Sequence, residues 1–94
     1  MLEREIYERA VTQSGLTKQE LADIYGVSRQ QVYNILKGSN PPEQRAARVN
    51  LYSRAISKLI ELGTLPLPAS VKGQQRADAI KKLIRRLYDL ARPE

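Results

Sequence analysis

The 94-residue chain contains no cysteine, no histidine, no tryptophan and no phenylalanine, and only one methionine. Without Cys and His there are no disulfides, no thiolate chemistry, no His-ligated zinc and no imidazole general base. An enzyme is therefore the least expected class, since the serines have no His partner, and neither a metal nor a cofactor is expected. Long apolar runs are missing too: none approaches the ~20 residues that span a bilayer. Residues 1–9 carry Glu3, Arg4, Glu5, Glu8 and Arg9 where a secretory signal would be apolar. The expectation is a cytosolic protein that makes no membrane contact.

What the chain does have is positive charge. Lys and Arg number 16 against 10 Asp and Glu, a formal net charge of +6, which favours a polyanionic partner. The excess is uneven. Residues 1–38 hold five basic and five acidic side chains, whereas residues 39–94 hold eleven and five. The chain is long enough for one compact domain and too short for two ordinary cores, so residues 1–94 read as one domain.

Apolar spacing and end signals predict an all-α fold of about five helices and no strands. Leu2, Ile6, Ala10 and Val11 recur near helical spacing before Gly15, which predicts a first helix over residues 2–14. Thr17 with Glu20, and Ser28 with Gln31, have the capping-box spacing that opens a helix. They predict helices over residues 18–25 and from 28 to 37, separated by Gly26 and closed by Gly38. Asn40 before Pro41 and Pro42 reads as the cap of a long fourth helix that runs to about residue 62. The alternate prolines Pro66 and Pro68 predict an extended connector. A C-terminal amphipathic helix over residues 74–91 follows.

Residues 17–38 read TKQELADIYGVSRQQVYNILKG. Ala22 stands where two helices would touch, Gly26 in the turn and Val27 just after it, with Leu21, Val32 and Ile35 as a small shared core. This segment resembles the phage-repressor-like helix-turn-helix family, the Cro/Xre type. At about 100° per residue, Val32, Ile35 and Leu36 turn inward, while Gln30, Tyr33, Asn34 and Lys37 point outward. Gln and Asn suit two-point pairing with adenine, Arg with guanine, and an aromatic ring the thymine methyl. The resemblance implies base reading by Ser28, Arg29, Gln30, Gln31 and Asn34, and the helical wheel adds Tyr33. It also implies that the start of the second helix, with Thr17, Lys18 and Gln19, lies against the sugar-phosphate backbone. Lys37, Asn40, Arg45 and Arg48 are further backbone candidates. Such contacts set register without reading sequence.

Residues 1–40 thus form the DNA-reading half, and residues 41–94 a helical support and dimerisation half. In the fourth helix, Ala46, Val49, Tyr52, Ile56, Leu59 and Ile60 form one apolar stripe, and Leu51, Ala55 and Leu62 a second beside it. The two cover an arc of roughly 220°, more than a helix wet on one side needs. One stripe is expected on the helix-turn-helix core and the other on the last helix or a partner subunit. Leu51, Ala55, Leu62, Leu83, Leu87 and Leu90 are the candidate dimer interface. The other side of the last helix carries Lys81, Lys82, Arg85, Arg86 and Arg92 with Asp78 and Asp89, a solvated face or a second backbone contact. Interspersed Asp and the lack of Trp or Phe argue against a membrane helix.

The leading expectation is a sequence-specific transcription regulator that binds double-stranded DNA as a homodimer on a palindromic operator, and a repressor more often than an activator. Two other classes stay open: an architectural or excisionase-like DNA-binding factor, and a helical adaptor for another protein, such as an antitoxin.

Overall fold

The computed structural model describes residues 1–68, 70, 71 and 73–91, with the side chains of Leu90 and Ala91 outside that description. Five helices follow one another: α1 Arg4–Gln13, α2 Lys18–Tyr25, α3 Arg29–Leu36, α4 Glu43–Glu61 and α5 Gly73–Ala91. The expected Leu90 interface position and the Arg92 cation therefore lie outside the described side chains.

Both expected capping boxes form. The Thr17 hydroxyl accepts from the Glu20 amide at 3.2 Å, and the Glu20 carboxylate accepts from the Thr17 amide at 2.8 Å. Ser28 and Gln31 repeat the exchange at 3.1 and 2.9 Å. The helix ends differ from expectation by one or two residues for α1, α3 and α5. At α4 the difference is chemical. Pro42 is the N-cap and no side chain caps it, while the Asn40 side chain accepts from Arg4 instead.

The short helix α2 is the hub, packed against α3, α4 and α5, while α4 lies mainly along α1. Leu21, Ala22, Ile24 and Tyr25 of α2 are all buried. The first stripe of α4 behaves as expected: Ala46, Val49, Ile56 and Leu59 are buried, and Tyr52 and Ile60 are half-buried. The second stripe divides. Ala55 is buried inside the chain, which withdraws it from any exposed face, whereas Leu51 and Leu62 remain exposed. Helix α5 buries Ala77, Ile80 and Ile84 chiefly against α2 rather than α4. The connector also contributes, because Leu65 inserts into the core. The chain passes so close to Gly15, at φ +76°, that a Cβ there would stand 2.7 Å from the Pro66 Cβ.

Three tyrosines join these layers. Tyr7 and Tyr25 have ring centroids 5.8 Å apart, and Tyr52 meets Tyr25 edge-on at 6.3 Å. The Tyr7 hydroxyl donates to the Val32 carbonyl at 2.8 Å, and the Tyr25 and Ser53 hydroxyls bond at 2.8 Å. Burial pushes the Tyr7 hydroxyl up from 10.0 to about 12, slightly offset by the Arg4 charge, and burial raises Tyr25 as well. Folding therefore favours the protonated phenols. That stability is fully present below pH 10 and is lost as pH rises through about 12. Tyr7 alone accounts for about 2 kcal/mol between pH 10 and pH 12. Denaturant unfolding across it should show the loss, with a shallower decline in Tyr7→Phe. Equal slopes in the two proteins would remove Tyr7 from this role.

Candidate nucleic-acid interface

Gly26 ends α2 in the left-handed region, at φ +71°, with its amide bonded to the Ala22 carbonyl at 2.9 Å. A side chain there would be strained. The turn sets α3 across α2, with Ala22 buried where the helices meet and Val32 and Ile35 facing the core.

The inner side of α3 is held from α1. The Tyr7 hydroxyl reaches the Val32 carbonyl, and the Arg4 guanidinium donates to the Ile35 carbonyl, the Ser39 carbonyl at 3.0 Å and the Asn40 Oδ1 at 3.0 Å. Arg4 thereby satisfies a carbonyl in the last turn of α3 and places the negative end of the helix beside a cation. The loop that carries Asn40 is fixed by the same side chain.

The opposite side of α3 is open. Arg29, Gln30, Tyr33, Asn34 and Lys37 are exposed, Ser28 is exposed at the cap, and Gln31 is half-buried. Ser28 and Gln31 spend part of their bonding capacity on the capping box, although both amide donors of Gln31 remain. Gln30 Nε2 donates to Asn34 Oδ1 at 3.0 Å, so these two side chains form one unit on the surface. Lys18 Nζ lies 5.7 Å above the Tyr33 ring, which joins the start of α2 to the outer face of α3 through a cation–π contact.

Around this face the other expected residues fall into groups. Gln31, Asn34, Asn40 and Arg45 border one shallow groove of about 180 Å³ between α3 and the start of α4. Thr17 and Gln19 are exposed at the start of α2, with Gln19 Nε2 3.3 Å from Asp23 Oδ1. Arg48 is exposed one turn beyond Arg45, near the Gly26 turn. Its Nη1 would stand 3.2 Å from a Cβ on that glycine. Leu51 and Leu62 are exposed, and Leu83 and Leu87 are half-buried against the core.

Two arginines matter to this arrangement beyond the expected residues. Arg4 is one. The other is Arg76 of α5, whose guanidinium lies 3.5 Å from each oxygen of the Glu20 carboxylate and donates to the Gly15 carbonyl at 3.0 Å and the Val71 carbonyl at 2.8 Å. Glu20 is 3% exposed. Both arginines sit in the first turn of a helix, where the macrodipole disfavours a cation. That misplacement was the one sign in the sequence that they serve a tertiary contact.

Among the described residues no group of Asp and Glu side chains could hold a metal ion, and no helix is long and apolar enough to cross a membrane. Two short helices crossing at a glycine turn, the second offering an open polar face, define a helix-turn-helix DNA-binding domain. Residues 6–49, just under half of the chain, match the family model described as helix-turn-helix, a Cro/C1-type family. That family is one of DNA-binding regulators and is generally non-enzymatic. No curated protein and no solved structure matches the chain.

Proposed function

We propose that this protein is a sequence-specific regulator of transcription that binds double-stranded DNA as a homodimer on a palindromic operator. The observation that carries the reading is the two-sided character of α3. One side is locked to α1 by Tyr7 and Arg4, and the other presents Arg29, Gln30 and Asn34 to solvent. Rigid backing and free planar donors are what base-edge readout in the major groove requires.

In this account Ser28, Arg29, Gln30, Gln31, Tyr33 and Asn34 face base edges. Thr17, Lys18, Gln19, Lys37, Asn40, Arg45 and Arg48 meet the backbone. The chain acts as one unit, with residues 1–40 reading DNA and residues 41–94 supporting them and joining two copies. It needs neither cofactor nor metal and works in the cytoplasm. Binding across a promoter hinders polymerase, so repression is the proposed sign.

Two single variants test this. Lys18→Ala should weaken binding to all duplex DNA about equally and reduce the slope of log affinity against log salt by about one. Arg29→Ala should weaken a selected site by ~1 to 3 kcal/mol and leave other DNA nearly untouched. The reverse pattern, or a loss confined to thermal stability, would contradict the assigned roles.

A further inference from the structure

We infer that Arg4 is a positioning residue for DNA binding: by holding the Asn40 oxygen it turns the Asn40 amide donors, beside Arg45, toward one phosphate of the DNA backbone. The inference rests on the DNA-binding reading above and deepens it by assigning how one backbone contact is built.

Arg4 is half-buried on α1 and spends its donors inside the protein. Nη1 donates to the Ile35 carbonyl, and Nη2 donates to the Ser39 carbonyl and to Asn40 Oδ1, each at 3.0 Å. A guanidinium can only donate, so the Asn40 side chain must meet it with its oxygen. Both protons of Asn40 Nδ2 are then left on the other side of the amide, and no hydrogen bond among the described residues uses them.

The same polarity runs round the groove that Asn40 borders. Gln31 Oε1 accepts from the Ser28 amide at 2.9 Å, and Asn34 Oδ1 accepts from Gln30 Nε2 at 3.0 Å. The Pro42 carbonyl is taken by the Ala46 amide at 2.8 Å. Each of the three side-chain amides on the groove thus has its oxygen engaged within the protein and its N–H groups to offer. Arg45 adds a guanidinium that is in no ion pair among the described residues. No Asp or Glu borders this groove or the adjoining one lined by Arg45 and Arg48.

Donors without matching acceptors, beside a cation, select a ligand that is anionic and only accepts, which a phosphodiester is. The volume agrees: about 180 Å³ falls short of the ~300 to 1,000 Å³ of small-molecule sites and suits a single phosphate group. Position identifies the phosphate as one of the duplex. Asn34 belongs both to this groove and to the open face of α3, so a phosphate seated here adjoins the bases that α3 meets. Arg4 itself stays behind Asn40 and acts through it.

The test is the affinity of the full chain for a selected duplex whose phosphates are replaced one at a time by neutral methylphosphonate. For the wild type, one position in each half-site is expected to cost about tenfold, the loss of hydrogen bonds to a charged group. Asn40→Asp keeps an oxygen for Arg4, so it should hold the wild-type melting temperature. It replaces the outward donors by a carboxylate oxygen, however, and should bind the unmodified duplex at least about tenfold more weakly. Arg4→Ala should lose the sensitivity at that same position and keep it at the others, and it should cost less affinity when Asn40 is already Ala. A merely structural Arg4 would weaken binding at every position alike. Wild-type affinity in Asn40→Asp, or an Arg4→Ala protein that keeps the sensitive position, would overturn the inference and leave the DNA-binding reading standing. Should Arg4→Ala not fold, the Asn40→Asp result decides. A wild type that binds no duplex would overturn the DNA-binding reading itself.

Discussion

Arg76→Ala is expected to cost the fold about 3 kcal/mol, or roughly 15 °C in melting temperature for a domain of this size. The residue lies outside the matched helix-turn-helix segment, yet the buried Glu20 carboxylate of that segment has Arg76 as its cation. Truncating one partner of a buried pair leaves the other charge desolvated, and this penalty exceeds what the pair itself contributes. The Gly15 and Val71 carbonyls lose their donor as well. The same logic supplies a control. Glu20→Gln keeps the capping box, which accepts Gln at that position, and removes the charge. Adding it to Arg76→Ala should therefore recover part of the loss. Circular dichroism melts of the three proteins decide the matter. A shift of only a few degrees in Arg76→Ala would show that water screens Glu20 after all.

The second large effect concerns DNA and should leave stability untouched. Gln30→Ala and Asn34→Ala are each expected to weaken binding to a selected site by ~1 to 3 kcal/mol. Because Gln30 donates to Asn34, the two losses should not add: the double variant should fall short of their sum. Both side chains are exposed on a helix, and alanine has the higher helix propensity, so the variants should melt at or slightly above the wild-type temperature. Affinity lost without stability lost separates a reading surface from a structural one. Unchanged affinity in the double variant would remove α3 from base recognition.

The helix-turn-helix was legible in the sequence because its determinants are local. Two capping boxes at fixed spacing, a glycine that must adopt positive φ and an inward triplet on α3 all lie within residues 17–38, and each takes its expected place. The end of α3 was less legible. Asn40 reads as a cap for α4, but Arg4, distant in sequence, claims its side chain, and Pro42 starts the helix uncapped. No local rule anticipates a hydrogen bond across that separation.

The support half was harder still. A wide apolar arc on α4 showed that two neighbours were needed but not which ones, and α5 turned to α2 rather than chiefly to α4. Ala55 is buried in the core while Leu51 and Leu62 are exposed, so one stripe on the wheel became two environments. Glu20 looked fully explained by its capping box. Its burial and its dependence on Arg76 emerge only when α5 packs.

The central claim is that α3 reads base sequence, and selection of bound duplexes from a random pool tests it most directly, with the wild type and the Gln30→Ala/Asn34→Ala double variant carried side by side. The account predicts that the wild type enriches a defined motif arranged as an inverted repeat, and that the double variant loses or relaxes it while still binding DNA at low salt. No enriched motif for the wild type, or the same motif at the same strength for both proteins, would contradict it.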